Sequence, residues 1–482
     1  MEAKIFSPVK SDVHIYIEKE HSMFDSTISS VFHDLKIKQL LNKANITKRC
    51  GINTTNVVYD LFTVPFLMIN TVCLFVRNQF EKAASKDVYY RFLDNANYNW
   101  HKFIIGLSGI VEGKLTTQMK TTEKEEKSEK FFVIDDTITE ISGKLVEKAS
   151  YVYDHTKGKC VLGFQKLVLG LFSADRFIPV ISKICISSKR PNKKSKATKY
   201  IKKSKEERIR PDSPGAIERA DLDKNKLEKT FSMLKEAKRK FKDVSCVLFD
   251  SWFAFNCFIA QIKSIEIDVI CQLKNMPKAN GYIYKGNQYS LNGLYALVKN
   301  KMRTVKKYGY KQTSICVGIS KTELQMKIVF IHNDGELGWH AFSSTDISFS
   351  AKKILEYYSK RWSIEVFYKN CKQYLNFGKE QMSNLDSIIA SDALVFMRYL
   401  VLTYLSALNN TGFFETLEKK RLDIKILTYG ARLLNFFLNQ LKYYVDCICD
   451  MISQNKNNEA IELLRNIFNP TQIPQLEFVN LK

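Results

Sequence analysis

The chain has 482 residues, with 74 Lys and Arg against 50 Asp and Glu, which gives a formal net charge of +24. This length exceeds an ordinary single domain and predicts roughly two to four of them, while the positive field favours polyanionic partners such as nucleic acids. The 11 cysteines are scattered, without the spacing of a zinc site or of a disulfide-rich secreted domain.

The first region, residues 1–125, is predicted to be helical. Within it, Ile37–Phe62 has the outline of a helix-turn-helix unit that could bind DNA ends, although any two packed helices with a short turn give the same pattern. Leu61–Val76 is the most apolar stretch, but it contains Pro65 and is shorter than the ~20 residues of a membrane span. We expect a core helix there, no membrane partner and, without a targeting segment, a cytoplasmic location.

A charged linker, Lys120–Lys130, marks the next boundary, and strands and helices alternate after it. Apolar runs predict strands at Phe131–Ile134, Cys160–Phe172, Phe177–Ile186 and Val244–Phe249, with a helix at Leu222–Phe241 before the last of them. This order is that of a ribonuclease-H-like core, an α/β fold with a mixed five-stranded sheet. In such sheets the functional site collects at strand ends, where Asp136 and Asp250 stand.

The remaining chain completes the predicted domain organisation. The segments 126–278 and 346–384 form the core, and they are interrupted by a β-strand insertion at 279–345. Inside the insertion, strands are predicted at Gly281–Tyr284, Thr313–Ile319, Met326–His332 and Trp339–Ser343. Residues 385–482 form a C-terminal helical region, which is a candidate for dimerisation.

One short stretch carries four functional side chains at helical spacing. In a single helix capped by Ser350, the residues Tyr358, Arg361, Glu365 and Lys372 fall within roughly 60° of arc. An acid flanked by two cations and a phenol suits a divalent metal beside a phosphodiester, but solvated residues paired along a helix give the same pattern. Among their neighbours, core positions are expected for Trp362, Ile364, Val366, Phe367 and Trp252.

Three carboxylates from different elements complete the predicted chemistry. Phosphodiester cleavage uses two Mg²⁺ ions about 4 Å apart, and such hard cations prefer carboxylate oxygens. Asp136, Asp250 and Glu365 are the chosen set of metal ligands and catalytic residues, with Mn²⁺ expected to substitute for Mg²⁺. Asp135 competes with Asp136, because neighbouring strand residues point to opposite faces.

The densest basic tract runs from Lys189 to Arg210, with 11 Lys or Arg against two Glu. It lacks apolar residues for a core and is predicted to be a loop that contacts DNA phosphates, although a solvated surface loop has the same composition. The selected phosphate contacts are Lys193, Lys194, Lys202 and Lys203.

The chain resembles DDE transposases of bacterial insertion sequences. The motif residues match the family pattern Y-x2-R-x3-E-x6-K, and Asp136 precedes Thr137 as the first acid of that family precedes Thr or Ser. Similarity to the insertion sequence 4 family extends to Tyr153–His155, Gly163–Gly170, Phe177–Val180 and Lys360–Lys369. The resemblance covers about Phe131–Arg398.

This resemblance implies a function and a set of partners. It implies a transposase that binds the terminal inverted repeats of its element as a homodimer in a synaptic complex, cleaves the DNA and joins the ends to target DNA by a cut-and-paste route with a hairpin step. Tyr358, Arg361 and Lys372 would hold the terminal phosphate, and the protein would be associated with a bacterial nucleoid. A catalytically decayed or domesticated DNA-binding relative, and a nuclease of the same fold without strand transfer, remain alternatives.

Overall fold

The computed structural model describes residues 26–78, 84–120, 129–143, 145–186, 209–275, 281–307, 309–333, 338–379, 381–454, 456 and 458–462. The chain divides into two compact units, residues 1–418 and 419–482. Most of the predicted linker at Lys120–Lys130 and most of the basic tract, with Lys193, Lys194, Lys202 and Lys203, lie outside the described residues.

Helices make up the described chain before the first strand. They are α1 (Ser26–Asp34), α2 (Ile37–Lys43), α3 (Thr54–Thr63), α4 (Val72–Asn78), α5 (Lys86–Leu93) and α6 (Trp100–Lys120). Helices α2 and α3 occupy the predicted helix-turn-helix segment, and the Asn53 side chain caps α3 by accepting a hydrogen bond from the Thr55 amide. The single helix predicted at Leu61–Val76 is wrong, because a 3-10 turn at Val64–Leu67 interrupts it where Pro65 cannot donate a backbone hydrogen bond.

One mixed sheet forms the centre of the first unit. Its strands are β1 (Phe131–Glu140), β2 (Ser150–Asp154), β3 (Lys159–Ser173), β4 (Arg176–Cys185), β5 (Cys246–Phe249), β6 (Asp268–Gln272), β7 (Tyr282–Tyr284), β8 (Asn287–Tyr289), β9 (Arg303–Val305), β10 (Tyr310–Ile319), β11 (Gln325–Asn333) and β12 (Trp339–Ser344). The hydrogen-bonded order is β2-β3-β1-β5-β6-β12-β11-β10-β7-β8, with β4 paired to β3 and β9 paired to β10. Strand β1 is parallel to β5 and antiparallel to β3, and β5 is parallel to β6.

The predicted strands before Asp250 are present, with two differences. Strand β1 continues beyond Ile134 to Glu140, so both aspartates lie inside it, and β2 had not been predicted. The helix predicted at Leu222–Phe241 is α8 (Lys226–Lys240), preceded by a separate α7 (Pro214–Asp221). Asn225 and Glu228 form a capping box that starts α8, which fixes the break between the two helices.

The strands predicted in the insertion are also present, and they continue the same sheet. Strand β12 pairs antiparallel with β6, so backbone hydrogen bonds join the insertion to the strands beside the acids. A helix that had not been predicted, α10 (Leu291–Val298), lies between β8 and β9. Helix α9 (Asn256–Lys263) connects β5 to β6.

Four further helices follow the sheet. They are α11 (Ala351–Ser359), α12 (Trp362–Tyr374), α13 (Leu385–Leu408) and α14 (Phe413–Ser453). Among the described helices, α13 alone is long and apolar enough to cross a membrane, with a mean hydropathy of 1.6, but 89% of that window is buried in the fold. It is therefore placed as a core helix, and its Asp392 pairs with the fully buried Lys166 of β3 at 2.6 Å.

A buried ion-pair network fastens α7 to the chain around it. The Arg219 guanidinium donates to both carboxylate oxygens of Glu147 at 2.7 and 2.9 Å, and to both of Asp386 at 2.9 and 2.8 Å. Both carboxylate side chains are almost fully buried. The planar guanidinium of an arginine can form two parallel hydrogen bonds to each of two carboxylates. These hydrogen bonds compensate for the free-energy cost of burying the charges.

Candidate active site

The two parallel strands β1 and β5 bring acids from distant parts of the chain together. Their register pairs Phe131 with Cys246 and Val133 with Leu248. Extending this register by two residues would pair Asp135 with Asp250, the residue that directly follows β5. The two acids are close enough to interact, because the charge of Asp250 is one cause of the raised pKa of Asp135. The Asp250 carboxylate also accepts a hydrogen bond from the Trp252 amide at 3.0 Å.

Asp135 faces the motif helices. Its Oδ2 lies 3.7 Å from Nη1 of Arg361, and its Oδ1 accepts the Asp136 amide at 2.8 Å. Burial, followed by the neighbouring charges of Asp136 and Asp250, raises the pKa of Asp135 to about 7, against the lowering effect of the Asp136 amide and Arg361. The Tyr368 hydroxyl donates to the backbone carbonyl of Asp135 at 2.8 Å. A buried carboxylate crowded by two others is an electrostatically unfavourable arrangement that a cation would relieve.

Asp136 has different partners. Its Oδ2 accepts a hydrogen bond from Nε2 of Gln165 at 2.6 Å, and its Oδ1 forms an ion pair with Lys226 at the start of α8. The Lys226 ammonium also lies 3.6 Å from the ring centroid of Trp252. The charge of Asp136 is thus already balanced by a cation of the protein.

The motif is built from two helices and not from one. The amides of Lys360 and Arg361 donate to Tyr357 and Tyr358, three residues back, so a tight turn separates α11 from α12. The prediction of one continuous helix is therefore wrong. The turn leaves Trp362 61% and Val366 42% exposed, whereas Ile364 and Phe367 are fully buried.

Arg361 connects the motif to the sheet. Its Nη2 donates to Oε1 of Glu365 at 2.7 Å, while Nη1 faces Asp135. The side chain is only 15% exposed, and its Nε is buried without a hydrogen-bond partner in the part of the chain that the structure describes. A buried guanidinium with an unused donor beside two carboxylates can bind a further oxygen ligand, such as a phosphate.

Tyr358 lies beside this arginine, whose Cζ is 5.6 Å from the centroid of the tyrosine ring, and Lys372 lies farther along α12. The Tyr358 hydroxyl is 3.5 Å from Oε1 of Gln272 at the end of β6, and burial is the main reason that its pKa rises to about 12. It therefore remains a hydrogen-bond donor at neutral pH. Lys372 lies about 10 Å farther along α12 than Glu365. Burial lowers the pKa of Lys372, and Asp154 and Lys166 are its charged neighbours.

Four residues close to the acids had not been predicted as site residues: Gln165, Lys226, Gln272 and Tyr368. Gln165 interrupts an apolar strand run, which is a usable signal for a buried polar contact. Lys226, Gln272 and Tyr368 carry no such signal, because only the folded chain brings them to the acids. Trp252, expected in the core, is 42% exposed beside Asp250.

The donor set fits a hard divalent cation. In the described residues, no group of three or more His, Cys, Asp or Glu side chains is already arranged to hold a metal. The candidate ligands Asp135, Asp250 and Glu365 nevertheless offer carboxylate oxygens alone, and the raised pKa of Asp135, caused first by burial and then by the charges of Asp136 and Asp250, would be relieved by a bound cation. Mg²⁺ and Mn²⁺ prefer such ligands.

Comparison with protein families agrees with this chemistry. A model described as DDE superfamily endonuclease matches residues 70–279, which include β1, Asp135, Asp136 and Asp250. A second model, described as the transposase DDE domain, matches residues 184–401, which include Asp250 and both motif helices. No curated protein gives a match. The matched families imply nuclease activity on DNA, and members of the DDE superfamily generally use divalent metals.

Proposed function

We propose that this protein is a DDE transposase of the insertion sequence 4 type, which cleaves the ends of its own element and joins them to target DNA. The observation that carries the proposal is the meeting of Asp135, Asp250 and the Arg361–Glu365 pair around the neighbouring strands β1 and β5 in the interior of the sheet. The acids come from three elements, and the two family models together span all of them.

The proposed catalytic core is ribonuclease-H-like. Five strands support this assignment, since β4, β3, β1, β5 and β6 are neighbours in that order, with β1, β5 and β6 parallel. Helix α8 connects β4 to β5, Asp250 directly follows β5, and Asp135 lies within β1 beyond its last residue paired with β5. On this assignment, residues 279–345 remain an insertion and residues 1–125 a domain that binds the DNA ends.

The contacts favour Asp135 over Asp136 as the first of the three acidic ligands. Asp135 interacts with the charge of Asp250 and lies near Arg361, whereas Asp136 is paired with Lys226 and Gln165. We therefore assign Asp135, Asp250 and Glu365 as the residues that would hold two Mg²⁺ ions. Bound there, the ions would activate the attacking oxygen and stabilise the leaving oxygen of the phosphodiester.

The remaining motif residues bind and orient the phosphate. Arg361 can turn its fork from Glu365 onto two phosphate oxygens once the acids are neutralised, and the neutral Tyr358 hydroxyl can donate a further hydrogen bond. Lys372, which lies farther along α12, supplies a point charge to the bound DNA strand. Lys193, Lys194, Lys202 and Lys203 are assigned to the backbone of the bound duplex.

Two reactions use the same groups. In the first, the water oxygen bonds to phosphorus, the bond from phosphorus to the 3′ oxygen breaks, and a free 3′-hydroxyl forms at the element's end. In the second, that hydroxyl attacks a target phosphodiester, so a new ester replaces the broken one. Between them, as in the cut-and-paste relatives that the motif resembles, the freed hydroxyl bonds to phosphorus of the opposite strand, the flanking 3′ oxygen leaves, and a hairpin closes on the element's end. A second water then hydrolyses the hairpin and restores the 3′-hydroxyl.

The transposase is proposed to act as a homodimer, and α14 supports this. Among its described residues, Leu441, Val445 and Ile452 are exposed by 49%, 55% and 53% although they are large and apolar. In sequence, apolar residues recur at alternating steps of four and three from Leu427 through Ala431, Leu434, Leu438, Leu441, Val445, Ile448 and Ile452. This period is the seam of a coiled coil, so the partner is a second α14.

Glu365→Gln tests the function directly. Purified protein is incubated with labelled duplexes of the element's ends, Mg²⁺ and a supercoiled target. The wild type should give joined products, while Glu365→Gln should bind the ends and cleave nothing. Glu356→Gln on α11, an exposed carboxylate paired with Lys352, is the matched control and should retain both reactions.

The same assay separates the alternatives. Cleavage without joining identifies a nuclease of the same fold, and binding alone identifies a decayed or domesticated relative. Cleavage by Glu365→Gln at the wild-type rate rejects the site.

A further inference from the structure

A second concentration of positive charge lies at the C-terminal end of α8. It surrounds an open cavity of about 480 Å³, and the residues lining it are Lys235, Lys238, Arg239, Lys242, Ile265 and Glu266. Four cations thus converge with one carboxylate. Like charges gathered around a concave surface repel one another and focus a positive potential, so the arrangement favours an anionic ligand.

Three of these cations are available to a ligand. Lys235, Arg239 and Lys242 are exposed, and within the described ranges none of them forms a salt bridge. The fourth, Lys238, donates to the carbonyl oxygens of Lys242 at 3.1 Å and Val244 at 2.6 Å. Those bonds hold the turn after α8 and so keep Lys242 at the cavity.

The cavity is separate from the acids. Lys226, which pairs with Asp136, starts the same helix, and twelve residues of α-helix to Lys238 span about 18 Å. The cavity also lies where β5 and β6 begin, whereas Asp250 follows the end of β5. The phosphate that reacts at the acids therefore cannot occupy the cavity as well.

We propose that this cavity binds backbone phosphates of duplex DNA about five base pairs from the reacting phosphate. The inference rests on the proposed function, which supplies DNA as the substrate. Among the described residues that line the cavity, Ile265 alone is apolar and none is aromatic, so this lining offers no ring for a base to stack on and favours phosphates over nucleosides. Such a contact positions DNA without reading its sequence.

Salt dependence of DNA binding tests the proposal. Arg239→Gln and Lys242→Gln each remove one charge from the cavity, and Lys240→Gln removes one from the same helix outside it, where Lys240 packs over Gly109. Fluorescence anisotropy with a duplex measures Kd between 50 and 200 mM salt, without divalent metal. The logarithm of the association constant falls linearly with the logarithm of the salt concentration, and each cavity variant should make this slope less steep by about 0.9. Between 50 and 200 mM salt, a cavity variant should therefore lose about threefold less affinity than the wild type loses. Lys240→Gln should match the wild type.

The outcomes separate this inference from the proposed function. Wild-type slopes in both cavity variants, with intact duplex binding by the wild type, overturn the cavity assignment and leave the transposase proposal standing. A wild type that binds no duplex overturns both. Thermal stabilisation by inorganic phosphate provides the second arm: if Arg239→Gln abolishes that stabilisation but keeps the wild-type DNA slope, the ligand is free phosphate and the DNA assignment is wrong.

Discussion

The Arg361 guanidinium lies between Glu365, at 2.7 Å, and Asp135, at 3.7 Å. It thereby joins an acid of the motif helix to an acid of the central sheet. Without a cation at the acids, the arginine is their counter-charge, and we propose that with a substrate present it becomes a phosphate ligand. The same side chain thus serves two states of the site.

Replacing this arginine should therefore affect the chemistry more than the fold. Arg361→Lys retains the charge but not the fork, and we expect DNA cleavage to fall by about 10²-fold. Single-turnover cleavage of labelled end DNA measures the loss. Lys360→Ala, which removes a half-exposed cation paired only at 3.4 Å with Asp175, should change the rate by less than about threefold.

The two neighbouring aspartates should give opposite phenotypes. Asp135→Asn removes a proposed metal ligand and should reduce cleavage by at least about 10²-fold with little loss of stability. Asp136→Asn leaves the largely buried Lys226 without its ion pair and should cost about 1–3 kcal/mol in the free energy of unfolding. The cleavage rate of Asp136→Asn should remain within about tenfold of the wild-type rate. The reverse pattern in cleavage assays and urea titrations would assign Asp136 as the metal ligand.

The raised pKa of Asp135 predicts a pH dependence of stability. Its ordinary value is 3.8 and its value in the folded protein is about 7. Between these values the folded chain holds a proton that the unfolded chain has released, so the free energy of unfolding should decrease as the pH rises from about 4 to 7. The effect is at most about 4 kcal/mol.

Urea unfolding at pH 5, 6, 7 and 8 without divalent ions measures this dependence. Asp135→Asn should flatten the curve in that window, and Asp212→Asn, whose side chain is 79% exposed, should not. An unchanged slope in Asp135→Asn would assign the dependence to other groups.

The network around Arg219 should be essential for folding. Arg219→Met leaves Glu147 and Asp386 buried without their counter-ion, and we expect a loss of about 3–5 kcal/mol in the free energy of unfolding. Urea titration followed by circular dichroism gives the value. Arg210→Met provides the comparison, because Arg210 is 65% exposed and lies 3.8 Å from Asp212, so its loss should cost less than about 1 kcal/mol. Equal effects in the two variants would contradict the importance of the buried network.

The seam of α14 should control oligomeric state. Val445→Asp places a charge in the predicted coiled-coil interface and should convert a dimer to a monomer, as measured by light scattering after size exclusion. Leu422→Asp is a matched control, since Leu422 is 58% exposed but lies outside the alternating three-and-four pattern. A dimer that survives Val445→Asp would exclude this seam as the interface.

Much of the sheet could be predicted because the sequences of its strands contain continuous apolar runs. Phe131–Ile134 and Val247–Phe249 are fully or almost fully buried, and runs of this kind bounded by polar residues indicate buried strands. The motif side chains were predicted from their helical spacing and from its match to the family pattern. Their spacing did not reveal the turn at Lys360, because a tight turn of helical dihedrals leaves no Gly or Pro in the sequence.

The orientation of the two aspartates depends on a different kind of information. Which of Asp135 and Asp136 faces Asp250 is decided by the register of β1 against β5, strands that are more than one hundred residues apart. Strand alternation predicts that the two side chains diverge, but not which one turns toward the acids. The Lys226 contact has the same origin, since α8 reaches β1 only in the folded chain.

The backbone pairing of β12 with β6 has a mechanical consequence. Phe342 is the register partner of Gln272, and its ring lies 4.8 Å from that of Tyr358. A hydrogen-bonded ladder resists stretching and shear, so the insertion cannot swing independently of the strands beside the acids. A load on the insertion would instead reach Tyr358 through the ring of Phe342.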